Sequence, residues 1–154
     1  MALKATRFVT DLRKSGLVGL DSGVLIYHLE DTAPYAELTE MAFGEVAAGA
    51  VRAVVSTISA TEVLVKPFVE GRGDVIATFE RFLLSLPAMS VVAPDYETSK
   101  DAARLRARYA LRTPDALLVA TARRHDARAF VMNDDGLRRV KREGLAILVL
   151  DDYL

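Results

Sequence analysis

The sequence has no cysteine, only two histidines and no long apolar run, and each absence removes a class of protein. Without cysteine there is neither a disulfide framework nor a thiolate zinc site, which suits a cytoplasmic protein. No apolar stretch approaches the roughly 18–20 residues that cross a bilayer, so no membrane association is expected. Residues 1–15 carry Lys4, Arg7, Arg13 and Lys14 with no apolar segment of signal-peptide type, so no secretory signal is expected either. His28 and His125 lack neighbours that would make either a catalytic base. No nucleophile-elbow sequence is present, and no P-loop or dinucleotide fingerprint.

What is there is a chain of 154 residues, half of them hydrophobic and about a quarter charged, enough for one domain with its own core. The net charge of −1 hides an uneven distribution. Residues 1–16 carry four basic and one acidic side chain, residues 17–97 four basic and twelve acidic. Residues 98–132 reverse this with eight basic and three acidic, and residues 133–154 carry four and five. A protein that coats DNA draws its affinity from phosphate neutralisation and carries a surplus of cations. Near-neutrality argues against that role, while leaving room for an enzyme with a basic rim around an acidic centre.

Short apolar runs alternate with segments of helical period. Leu17–Leu20, Ala53–Ser56, Met89–Ala93, Ala129–Met132 and Ala146–Leu150 read as buried strands. Pro34–Ala48, Ser59–Val69, Asp74–Leu86, Asp95–Tyr109 and Pro114–His125 read as helices, with a further short helix between the last two strands. This alternation predicts an α/β fold, a three-layer α/β/α sandwich around a mostly parallel sheet of about five strands. Residues 1–16 form an N-terminal extension expected to be helical, and 17–154 the main domain. In such folds ligands bind beyond the carboxyl ends of the strands.

Acidic residues gather at that edge. Asp21 follows the first strand in Leu20-Asp21-Ser22-Gly23-Val24-Leu25-Ile26, and Asn133-Asp134-Asp135-Gly136 follows the strand Ala129–Met132. Glu62 lies early in the helix after the second strand, in Ser59-Ala60-Thr61-Glu62-Val63. Asp115 opens a very apolar helix after Thr113, the expected N-cap, and Pro114. Taken singly each has an ordinary reading: Asp115 as a helix-dipole partner, Asn133–Gly136 as a turn, Glu62 as a first-turn acid. Asp21 resists that treatment, because it stands between apolar runs. Four carboxylates on one edge repel unless a cation sits among them, and hard oxygen donors suit Mg²⁺ or Mn²⁺. Such an ion activates water and polarises a phosphoryl oxygen, so phosphodiester hydrolysis is the reaction class indicated.

Those four segments, with Pro114-Asp115-Ala116-Leu117-Leu118 for the third and Leu137 closing the fourth, resemble the ordered motifs of the PIN domain, and in particular VapC-type toxins. The resemblance runs from about residue 17 to 150. It implies Mg²⁺- or Mn²⁺-dependent endoribonuclease activity, an RNA substrate, an antitoxin partner and a homodimer. Asp21, Glu62 and Asp115 take the places of the first three family acids and Asp134 the fourth, with Asp135 a substitute. Asp21, Asp115 and Asp134 are expected to hold the metal and Glu62 to bind or position the attacking water. Met132 departs from the pattern, standing where Ser or Thr is common, and the 16 residues before the first strand are an addition.

Around this core lie weaker candidates. Ser22, Asn133 and Asp135 are placed to orient ligands or water. Lys100, Arg104 and Arg108 fall four residues apart on one helix face, with Arg112 beyond them, and read either as a solvated face or as a rim for the RNA backbone. Three rivals remain. A haloacid-dehalogenase phosphatase wants a second Asp two residues after Asp21, where Gly23 stands. An RNA-processing nuclease that is not a toxin, and an inactive PIN-like module that binds RNA or protein, share the same fold.

Overall fold

The computed structural model describes residues 2–154. Five parallel strands lie in the order β3-β2-β1-β4-β5: β1 (Leu17–Leu20), β2 (Arg52–Ser56), β3 (Met89–Val92), β4 (Ala129–Met132) and β5 (Ala146–Val149). Helices α1 (Ala2–Ser15), α2 (Ser22–Leu29), α3 (Ala36–Ala47), α4 (Thr57–Val69) and α5 (Gly73–Ser85) precede β3; α6 (Tyr96–Tyr109) and α7 (Thr113–Arg124) follow it. A 3-10 helix, Asp135–Glu143, joins β4 to β5, and another, Leu150–Tyr153, ends the chain.

The inner strands β1, β2 and β4 are buried on both faces, so successive residues go into different cores instead of alternating core with water. Val18, Leu20, Ala53, Val55, Ala129, Val131 and Leu148 face α1–α5. Val54, Phe130, Met132 and Val149 face α6, α7 and the first 3-10 helix. That split explains why the strands read as unbroken apolar runs. It confirms the three-layer α/β/α arrangement, with a sheet that is parallel throughout.

The α1 helix packs through Phe8 and Leu12 into the first of these cores. Its other contacts reach the end of the chain. The Phe8 and Tyr153 rings lie 4.9 Å apart, Tyr153 donates its hydroxyl to Asp11 at 2.8 Å, and Arg7 donates to the Asp152 carbonyl at 2.8 Å. An ion pair between Arg13 and Glu45 at 2.6 Å ties α1 to α3.

The sequence reading contains no helix at Ser22–Leu29, and α2 is a correction to it. With Gly23 near its start and Val24, Leu25 and Ile26 in succession, the segment reads as a continuing apolar run. Burial of Ser22, Val24 and Leu25 on an eight-residue helix leaves no polar face to show the period. At α7 the N-cap is Arg112, not Thr113, and its side chain makes no capping bond.

Candidate active site

Two strands pass into helices without a loop. Asp21 directly follows β1 and is already the N-cap of α2, with an extended backbone; Ser56 ends β2 and caps α4 by accepting from the Ile58 N–H at 3.1 Å. Each junction therefore delivers a helix N-terminus, with its unpaired N–H groups and positive dipole end, to the carboxyl edge of the sheet. Asp21 donates its backbone N–H to the Val131 carbonyl at 2.9 Å, which extends the β1–β4 pairing to the carboxylate itself.

Close packing brings the third acid in. A Cβ on Gly19 would lie 2.4 Å from the Ala122 Cβ and 2.9 Å from Phe130, so only glycine lets α7 lie this near β1. Asp115, in the first turn of α7, is thereby held beside Asp21. Gly19→Ala forces α7 outward and is expected to lower stability by about 1–3 kcal/mol through overpacking; a thermal melt of the variant checks this.

The electrostatics show the acids sharing one field. The Asp21 carboxyl is pushed up to about 6, chiefly by burial, then by Asp115 and to a smaller degree by Glu62; the N–H groups of Ser22 and Gly23 act against the rise. Arg112 donates to both Asp115 oxygens, at 3.0 and 3.4 Å, and its charge is further favoured by Asp134 and Glu62. One exposed guanidinium is thus the common neighbour of three acids. It stands where a counter-ion to the cluster belongs.

Glu62 projects from the second turn of α4 and accepts at Oε1 from the Ser22 hydroxyl at 3.0 Å. Asp134 accepts from the Gly136 N–H at 2.8 Å and so also serves as the turn residue its sequence suggested. Met132, fully buried, offers its sulfur to the Asp134 N–H at 3.1 Å. A thioether thus holds the backbone of Asp134. Asp135 and Asn133 turn elsewhere. Asp135 pairs with Arg138, which reaches on to Asp152; Asn133 exchanges two hydrogen bonds with Asp151.

The basic stripe does not face the acids. Arg104 and Arg108 pair with Glu143 at 2.9 and 3.2 Å, and Arg123 and Arg104 bind Asp101 at 2.7 and 3.0 Å. Lys100 and Arg104 share a shallow hollow with Arg124 at the far end of α7, away from Asp115. Arg104 and Arg108 are part of a clamp that locks α6 and α7 to the 3-10 helix. Its guanidinium bonds, first that of Arg104, and the Tyr109 hydroxyl hold Glu143 down at about 2 against burial. A carboxyl lowered from 4.5 to about 2 stabilises the fold fully above pH 4.5, and that stability is lost as pH falls through 2. Allowing for guanidiniums that stand half in solvent, about 1–3 kcal/mol should disappear across that window. Glu143→Gln is expected to remove this loss on acidification, as acid-unfolding curves would show.

Sequence reasoning singled out Asp21, Glu62, Asp115 and Asp134 as the acids and Arg112 as part of a basic rim, and assigned no role to Ser59 or Gly19. Ser59, fully buried, lies 2.8 Å from the Ser22 hydroxyl. Its only signal was its place three residues before Glu62.

Among the described residues, no three carboxylate or imidazole groups stand close enough to enclose a metal ion. The donor set nevertheless fits one. Its groups are hard oxygens, and the Asp21 carboxyl, raised to about 6 chiefly by burial and then by Asp115 and Glu62, is one whose charged form a bound cation would favour.

The chain matches the PIN domain family over residues 18–143. No curated protein is significantly similar in sequence. Among solved structures, the fold is similar to a chain of the VapBC2 complex of Rickettsia felis bound to a DNA fragment from its promoter, with a TM-score of 0.67 at 13% identity, covering 85% of this chain and 96% of that one. A toxin–antitoxin complex of Klebsiella pneumoniae gives 0.62 at 20% identity over 88% and 98% of the two chains. DNA-bound VapBC of Salmonella typhimurium gives 0.56 at 15% over 87% and 97%. No helix among the described residues is long and apolar enough to cross a membrane.

Proposed function

Because the chain belongs to the PIN domain family, we propose that it is a divalent-metal-dependent endoribonuclease and the toxin of a toxin–antitoxin pair. The observation that carries the reading is the Asp21 carboxyl, raised by burial beside Asp115 and Glu62 on the ligand-binding edge of a parallel sheet. Asp21, Asp115 and Asp134 would hold Mg²⁺ or Mn²⁺. When bound, such an ion supplies activation of water and stabilisation of charge on the phosphoryl oxygens.

The chain's own residues do the rest. With Oε1 committed to Ser22, Glu62 has Oε2 for orienting the attacking water and taking up its proton. Arg112 is exposed and forked, which suits a phosphate as well as it suits Asp115. A cation among the acids would release it to bind the RNA backbone. The toxin part of the reading rests on the likeness in fold to the toxin–antitoxin complexes, and the partner inferred from it is an antitoxin that covers this edge.

The test is incubation of purified protein with a structured RNA under Mg²⁺, Mn²⁺ or chelator. Metal-dependent internal cleavage supports the reading; RNA binding without cleavage under every metal condition would make the chain an inactive binding module.

A further inference from the structure

The Ser22–Ser59 pair carries an inference that rests on the nuclease reading and sharpens it. Both hydroxyls are buried, Ser22 4% exposed and Ser59 fully enclosed. They come from different elements, Ser22 from the first turn of α2 and Ser59 from the first turn of α4. Ser22 stands 3.0 Å from Glu62 Oε1 and 2.8 Å from the Ser59 hydroxyl.

Proton counting orients the chain. A carboxylate accepts only, so the single proton on Ser22 goes to Glu62. Ser22 then meets Ser59 with a lone pair alone, and Ser59 must be the donor between them. We infer that Ser59 is a positioning residue: its hydroxyl donates to Ser22, fixes the Ser22 rotor toward Glu62, and so sets the direction in which Glu62 faces the acidic edge.

The arrangement has a reason. Glu62 is an exposed side chain on a helix surface, and a glutamate there samples several rotamers. One buried hydroxyl could itself rotate to another acceptor. A second, anchored from the other side, removes that freedom and makes the carboxylate part of the α2–α4 contact. Hydrogen-bond chains of this kind strengthen each member along the line.

The relay is serial, and that makes it testable. Partners of this rank around a metal site typically contribute 10–100-fold to activity. Ser59→Ala is expected to lower kcat about 10-fold with KM for RNA unchanged, and Ser59→Thr, which keeps the hydroxyl, to restore most of it. The Ser22→Ala, Ser59→Ala double variant should lose no more than Ser22→Ala alone, because the second link has nothing left to orient. Multiplicative losses in the double variant would overturn the relay.

Thermal melts of the same set in chelator read the hydrogen-bond chain without any catalysis. Non-additive losses in Tm support the link between the two serines; additive losses overturn it. If the wild-type chain cuts no RNA while the melting losses are coupled, the nuclease reading fails and the hydroxyl chain stands. If it cuts RNA and both measurements are additive, the inference fails and the nuclease reading stands.

Discussion

Replacing Asp21 by Asn should cost at least about 100-fold in RNA cleavage, since even partners one step removed from a metal contribute up to that much, while raising the melting temperature of the metal-free protein. The two effects share one cause. Asp21 is held in a half-buried place at the end of β1, beside Asp115, and its carboxyl rises from 3.8 to about 6 as a result. Above pH 6 the folded chain carries this charge at a cost; between about 6 and 3.8 the folded chain keeps a proton the unfolded chain has lost, so wild-type stability climbs as pH falls. Asparagine is never charged, so it escapes the penalty that burial and Asp115 place on the carboxylate. At pH 7 in chelator the gain is on the order of 2 kcal/mol, or about 4–8 °C for a chain of this size. The difference should shrink on acidification through pH 6. Calorimetry of both proteins at pH 7 and pH 4.5, paired with a cleavage assay, separates the possibilities. Full cleavage by the Asn variant would remove Asp21 from the active centre, and a lower Tm at pH 7 would show that its charge is not penalised.

How much of this was legible in the chain varies with the range of the interaction. Strands buried on both faces announce themselves as apolar runs, and the rule that ligands sit at their carboxyl ends picks out Asp21 and Asp134 from neighbours in sequence alone. Helical period located α3 to α7 within one or two residues, and failed for α2, which has no polar side to display it. The stripe of Lys100, Arg104 and Arg108 shows the limit most clearly. Period assigns residues to a common face but does not say what that face meets. Here it meets Glu143, 35 residues beyond Arg108, so two of the three cations belong to an internal clamp. Gly19 was equally silent, because an empty Cβ position has meaning only once Ala122 is packed over it.

Titration with Mn²⁺ should raise the melting temperature of the wild-type chain, by about 2.7 kcal/mol or roughly 5–10 °C once free ion exceeds its Kd a hundredfold. The acidic edge has charge to be neutralised, and Arg112, the neighbour of Asp115, Asp134 and Glu62, is an exposed partner that a cation can replace. The increment, rather than the starting Tm, identifies the ligands. Asp134→Asn keeps the turn, since Asn accepts from the Gly136 N–H as Asp does, yet it removes a charged donor, and its increment should fall to a small fraction of wild type. Asp115→Asn should behave alike, with Arg112 set free of its bidentate partner. Asp151 and Asp152 provide the contrast. Asp151 accepts from Tyr35 and Asn133, and Asp152 pairs with Arg138, so their Asn variants are expected to melt somewhat lower in chelator. Those contacts hold the chain end and not the edge at Asp21, and the Mn²⁺ increment should survive in both. An increment that vanishes with Asp151 or Asp152 and persists without Asp115 and Asp134 would move the metal to the carboxyl-terminal turn, and with it the centre of the proposed reaction.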